Sequence, residues 1–146
     1  MALARRTFLG AGLAAAAWAW RQTPAQAANE PADGFRVIEA GPASAQVAPA
    51  PAAPVQALGY GGATPGPLLR LKLGETLKVR LVNRLTEPTT LHWRGLRIAN
   101  AMAGIGDLTQ KPVAPGASYD YAITPPDAGV AWYGPHNGAT SAGQIA

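Results

Sequence analysis

No cysteine occurs anywhere in the 146 residues, which removes disulfides, thiolate nucleophiles and thiolate-ligated metal sites from the chemistry available to this chain. Histidine is nearly as scarce, with only His92 and His136. Charged residues make up 14% of the chain, and Asp107, Asp120 and Asp127 lack the paired spacing that acid/base catalysis would require. Helical periodicity is also missing downstream of residue 27, where no segment of helix length repeats its apolar residues at 3.6. Even the excess of basic residues is local. Of the 12 Lys and Arg, Arg5, Arg6 and Arg21 lie in the first 27 residues, leaving nine to face eight acidic residues. A chain so nearly neutral gives no electrostatic footprint for nucleic acid or a membrane surface.

The first 27 residues have the form of an export signal: Arg5-Arg6-Thr7-Phe8-Leu9, an apolar stretch from Leu9 to Trp20, and Ala25-Gln26-Ala27 as a small-residue cleavage site. The apolar run is shorter than the ~20 residues of a bilayer span and is interrupted by Arg21, so no membrane span is expected in the mature form. The paired arginines before Phe8-Leu9 resemble a twin-arginine signal, which implies export to the periplasm. The expected organisation is a signal over 1–27 and one domain over 28–146.

Downstream, the pattern is that of short strands. Leu77, Val79 and Leu81 alternate with Lys78 and Arg80, the period of two that sets apolar side chains on one face and charges on the other. Tyr119, Tyr121 and Ile123 alternate with Asp120 and Ala122. Further strands are expected at Phe35–Ala40, in an edge piece near Ala45–Ala48, and at Val55–Tyr60, Leu68–Leu73, Thr89–Trp93 and Val130–Tyr133. Gly74-Glu75 is expected to close a hairpin between Leu68–Leu73 and the Leu77 strand. Many short strands separated by Gly/Pro turns predict an antiparallel all-β sandwich or barrel.

Both histidines sit in aromatic fragments, His92-Trp93-Arg94-Gly95 and Trp132-Tyr133-Gly134-Pro135-His136. Residues i and i+2 of a strand share a face, so a His-x-His pair can aim two imidazoles at one metal cluster. Each fragment here is half of such a pair. Arg94 and Gly134 stand where the second imidazoles would be. Arginine offers only donors and a fixed positive charge, and glycine has no side chain, so both are severe losses for a cation site.

Several motifs occur in order: Thr64-Pro65-Gly66-Pro67, Gly74 to Asn83, Leu91 to Leu96, Leu108-Thr109-Gln110, Pro115-Gly116, Thr124 to Gly129 and Trp132 to His136. Over residues 35–140 they resemble the N-terminal plastocyanin-like (cupredoxin) domain of bacterial multicopper oxidases. The resemblance implies a Greek-key cupredoxin-like sandwich, copper as cofactor, and an oxidoreductase that passes electrons to dioxygen. It also implies that His92 corresponds to a type 2 copper ligand and His136 to a type 3 ligand, and that Arg94 and Gly134 replace the two ligands of the other type 3 copper. Ala103 departs from an acidic residue common in the family. Substrate electrons in that family enter at a Cys-ligated copper, which a cysteine-free chain cannot hold, so oxidase turnover by this chain alone is not expected. A closing strand follows the histidine motif in the family, and the sandwich is expected to lack it. Implied partners are a second cupredoxin-domain polypeptide or another copy of the chain; a metal-free scaffold and a non-functional gene product are the alternatives.

The remaining features have plain readings. Trp93, Trp132 and Tyr133 are expected as sandwich core rather than an aromatic relay. Met102 is expected as a loop residue or gap filler rather than a copper contact, and Lys72, Lys78, Arg80 and Arg84 as a solvated strand face.

Overall fold

A computed structural model describes residues 33–136; the export signal expected over 1–27 lies outside them. Among the described residues seven strands occur in chain order: β1 (Arg36–Ala45), β2 (Val55–Tyr60), β3 (Ala63–Thr64), β4 (Leu77–Asn83), β5 (His92–Arg94), β6 (Ser118–Ile123) and β7 (Trp132–Gly134). One 3-10 turn, Asn100–Met102, follows β5. No helix among the described residues is long and apolar enough to cross a membrane.

The alternation in β4 is realised as expected. Leu77, Val79, Leu81 and Asn83 point inward while Lys78 is exposed. β4 lies between β1 and β6 in a sheet ordered β2-β3-β1-β4-β6. It pairs antiparallel with β6, from Leu77 opposite Ile123 to Val82 opposite Ser118. A smaller sheet pairs β5 with β7. Between the two layers sit Ile38, Tyr60, Val79, Leu81, Leu91, Trp93, Tyr121 and Ile123, all buried.

Asn83, Thr89 and Thr90 are the buried polar residues among those described, and every polar group that Asn83 buries is bonded. Its amide nitrogen donates to the carbonyls of Glu87 and Val113, each at 2.8 Å, and its Oδ1 accepts from the Leu85 N–H at 2.9 Å. Its backbone N–H and carbonyl are taken by Ala117 and Gly116. Asn83 thereby ends β4 and ties the next loop to residues 113–117. Leaving one such group unpaired would cost about 1–3 kcal/mol.

Four sequence expectations are corrected. The larger sheet is mixed rather than antiparallel, because β1 runs parallel to β4, Arg36 opposite Val79 through Ala40 opposite Asn83. β1 also continues through Gly41 and Pro42 to Ala45, so the separate edge strand near Ala45–Ala48 does not form; Ala43 and Ala45 keep the inward alternation. Leu68–Leu73 joins no sheet, and Gly74-Glu75 is a turn without a ladder on its first side. Trp132 is 75% exposed rather than core. It lies opposite Arg94 in the β5–β7 register, on the face away from Trp93 and Tyr133.

On the outer face of the larger sheet, Arg80 reaches Asp120 with two 2.7 Å bonds and Asp33 at 2.9 Å. Its guanidinium also lies 4.9 Å from the Phe35 ring centre. The bidentate bond to Arg80 holds the Asp120 carboxyl below the usual carboxylate range.

Candidate copper-ligand site

β5 is only three residues long, and its position is set by bonds that flank it. Thr89 and Val113 exchange backbone bonds. The Tyr60 hydroxyl donates to the Thr90 carbonyl at 3.3 Å. The Leu91 N–H donates to the Tyr121 hydroxyl, which donates in turn to Oε1 of Gln110. Burial pushes the Tyr121 phenol up to about 12 and the Tyr133 phenol to about 12, with Tyr60 raised further still. All three therefore remain neutral hydroxyls at physiological pH.

The outer edge of β5 is closed by the turn at 100–104. The Trp93 N–H donates to the Ala103 carbonyl, and the same carbonyl lies 2.5 Å from Nδ1 of His92. Gly104 permits this approach. Its φ is +74°, and a Cβ there would collide with the Leu91 carbonyl.

His136 is placed from the other side. Its backbone N–H donates to Oγ1 of buried Thr90 at 3.1 Å, and its carbonyl accepts from the Gly106 N–H at 2.9 Å. The result brings the two histidines together across 44 residues of sequence, with ring centres 5.2 Å apart and planes tilted by 45°. His92 is half-buried and His136 exposed, so both rings are accessible to an ion.

Arg94 and Gly134 occupy the same site. Arg94 shares the outward face of β5 with His92, and its Nη2 donates to the Pro135 carbonyl at 3.1 Å. No carboxylate among the described residues pairs with it. Gly134 lies directly opposite His92. Among the described residues no group of three or more His, Cys, Asp or Glu side chains converges. The residues present therefore do not fit a complete copper cluster. They bring two imidazole rings together, with the Arg94 guanidinium bonded to the Pro135 carbonyl next to His136.

A family model of the multicopper oxidases matches residues 43–146. The chain belongs to the multicopper oxidase family. It is 36% identical to the multicopper oxidase MmcO of Mycobacterium tuberculosis over 149 residues, covering 92% of this chain and 29% of that protein. It is also 36% identical to copper resistance protein A of Escherichia coli, over 57% of this chain and 14% of that protein. Among solved structures, Lac15 from a marine microbial metagenome superposes with a TM-score of 0.69 at 39% identity, over 74% of this chain and 30% of that one. The multi-copper oxidase of Pseudomonas thermotolerans gives 0.66 at 39% identity, over 75% and 27%. The chain thus spans under a third of the length of these multicopper oxidase relatives, and its fold is their cupredoxin-like domain.

Of the residues that place the histidines, Ala103 was noted from sequence only as a departure from the family, and Thr90, Gly104 and Gly106 were not singled out. Thr90, the Ala103 carbonyl, Gly104 and Gly106 act largely through backbone groups or a short hydroxyl. The one signal for them is the glycine-spaced run Ala103-Gly104-Ile105-Gly106, which marks a close backbone approach. Met102 is a half-buried residue packed against the core, in keeping with its reading as a loop residue.

Proposed function

We propose that this plastocyanin-like domain presents His92 and His136 as two imidazole ligands to copper, and that polypeptide outside the described residues supplies the rest of the coordination shell. The observation that carries this reading is the 5.2 Å approach of the two rings, with Nδ1 of His92 held by the Ala103 carbonyl. A ring whose Nδ1–H donates to a carbonyl offers its Nε2 lone pair outward, the arrangement usual in metal-ligating histidines. Two protein ligands are fewer than catalytic metal sites normally have. Dioxygen reduction then requires further ligands and a cysteine-ligated electron entry site from outside these residues. Arg5-Arg6 and the apolar stretch after them support export to the periplasm.

The test is a copper titration of the purified chain by calorimetry, paired with thermal melting and a His92→Ala/His136→Ala control. Binding that raises the melting temperature in the parent and disappears in the control is expected. Copper-independent melting, or binding that survives in the control, contradicts the proposal.

A metal-free scaffold is the second reading, and one observation favours it. Arg94 already ties β5 to the segment after β7 through the Pro135 carbonyl, so the two halves of the site are joined without an ion. A folded chain indifferent to copper would establish that reading.

A further inference from the structure

Arg94 brings a permanent positive charge to the outward face of β5, the face it shares with His92. Its head is tethered there, because Nη2 donates at 3.1 Å to the carbonyl of Pro135, the residue before His136. The guanidinium is thus tied to both histidine segments, to one through its own strand and to the other through that bond. The ion pairs among the described residues engage Arg80, Arg84 and Arg97, and none neutralises Arg94.

The same charge reaches beneath the strand. Burial raises the Tyr60 phenol, Tyr121 and Tyr133 add to the rise, and Arg94 pulls the other way. The Tyr60 hydroxyl bonds the Thr90 carbonyl, and the Thr90 hydroxyl takes the His136 N–H. The potential of Arg94 therefore extends over the segment from which both rings are held.

Such a potential acts unequally on the two valences of copper. It opposes a dication twice as strongly as a monocation, and the guanidinium cannot shed its proton to relieve the repulsion. The ligand set works in the same direction. The two neutral rings are joined by no carboxylate among the described residues, so nothing there offsets the second charge of copper(II), which also calls for a tetragonal set of nitrogen and oxygen donors. Copper(I) has a closed shell and makes no such geometric demand.

We propose that Arg94 is a specificity-determining residue that favours copper(I) over copper(II) at His92 and His136, a role that rests on the copper reading above. Further ligands from outside the described residues would leave the sign of its contribution unchanged.

The test measures both affinities on the full chain, copper(II) by calorimetry and copper(I) anaerobically by competition with bicinchoninate, for the parent, Arg94→Gln and Arg94→Lys. Arg94 is exposed, so both variants should fold, and thermal melting checks this. Removing the charge in Arg94→Gln should narrow the preference for copper(I) roughly three- to tenfold; a tenfold change is about 59 mV in the potential of a one-electron couple. Arg94→Lys keeps the charge and should keep most of the preference. The gap between parent and Arg94→Gln should shrink as sodium nitrate rises from about 0.01 M to about 1 M, where the screening length falls to roughly 3 Å. A role confined to the Pro135 bond would show neither retention in Arg94→Lys nor dependence on salt. An unchanged preference in Arg94→Gln, equal losses in both variants, or a gap insensitive to salt overturns the proposal and leaves the two-histidine reading standing. If neither valence binds in a way that the His92→Ala/His136→Ala control abolishes, both are overturned.

Discussion

Ala103 offers its carbonyl oxygen to Nδ1 of His92, and because a carbonyl only accepts, that nitrogen carries the ring proton. The Nε2 lone pair is then available to a cation without any rearrangement. Gly104 makes the contact possible by bringing the turn against the Leu91 carbonyl. Gly104→Ala should therefore destabilise the fold by about 1–3 kcal/mol and, by moving the carbonyl off Nδ1, weaken copper binding by roughly 10–100-fold. Denaturant melts and calorimetry on the same variant separate the two effects, and unchanged affinity would contradict the positioning role. Arg94 and Gly134 lead to the converse experiment. The double change Arg94→His with Gly134→His removes a fixed cation and adds two donors, so copper affinity should rise by more than the roughly 10-fold that an outer contact contributes. Calorimetry showing no gain would mean that the backbone no longer holds the ligand geometry. At this scale the histidines were legible from sequence because their fragments have ligand spacing, whereas Thr90 and Ala103, which position them, have no chemical signature in sequence. Trp132 was misplaced for a related reason. Alternation in a strand of three residues identifies which side chains share a face, but not which face is the core.

Strands are short here, and what fixes them is pairing rather than propensity. β4 was readable because apolar and charged residues alternate without interruption from Leu77 to Leu81. Its parallel partner β1 lies about 40 residues earlier, and parallel pairing across a long connection leaves no local mark in sequence. Leu68–Leu73 shows the limit of the same signal. It has the composition of a strand, yet it pairs with no strand among the described residues. On the outer face, Arg80 links β4 to β6 through Asp120. The Asp120 carboxyl is lowered by that bond, so its contribution is fully present above the unfolded carboxylate value of about 3.9 and is lost as pH falls through the folded value. The pair is partly solvent-exposed, so Asp120→Asn should cost only about 0.2–1 kcal/mol near neutrality. Urea melts as a function of pH should show the gap between parent and variant closing in acid. A gap that persists there would indicate that Asp120 acts through packing instead.

Taken whole, the molecule is a cupredoxin-like sandwich built around buried tyrosines. Tyr60, Tyr121 and Tyr133 are all raised chiefly by burial. A group raised above its unfolded value of about 10 contributes fully below that pH and loses its contribution as pH climbs through the folded value. Stability should accordingly decline between about pH 10 and about 12. Tyrosinate absorbance from these three should appear together with loss of the β-sheet circular dichroism; complete ionisation within an intact fold would contradict their burial. The sandwich class was legible because strand periodicity survives averaging over many short elements. The pairing of β5 with β7 was not, since it joins segments far apart in sequence.

The central claim is that the imidazoles of His92 and His136, brought together from β5 and the segment after β7, both ligate copper. Pulsed electron paramagnetic resonance on the copper(II)-loaded chain counts those nitrogens directly. The account predicts two equivalent-class imidazole couplings, one lost in His92→Ala, the other in His136→Ala, and both in the double variant. A spectrum with no imidazole coupling, or one unchanged by either substitution, would contradict it.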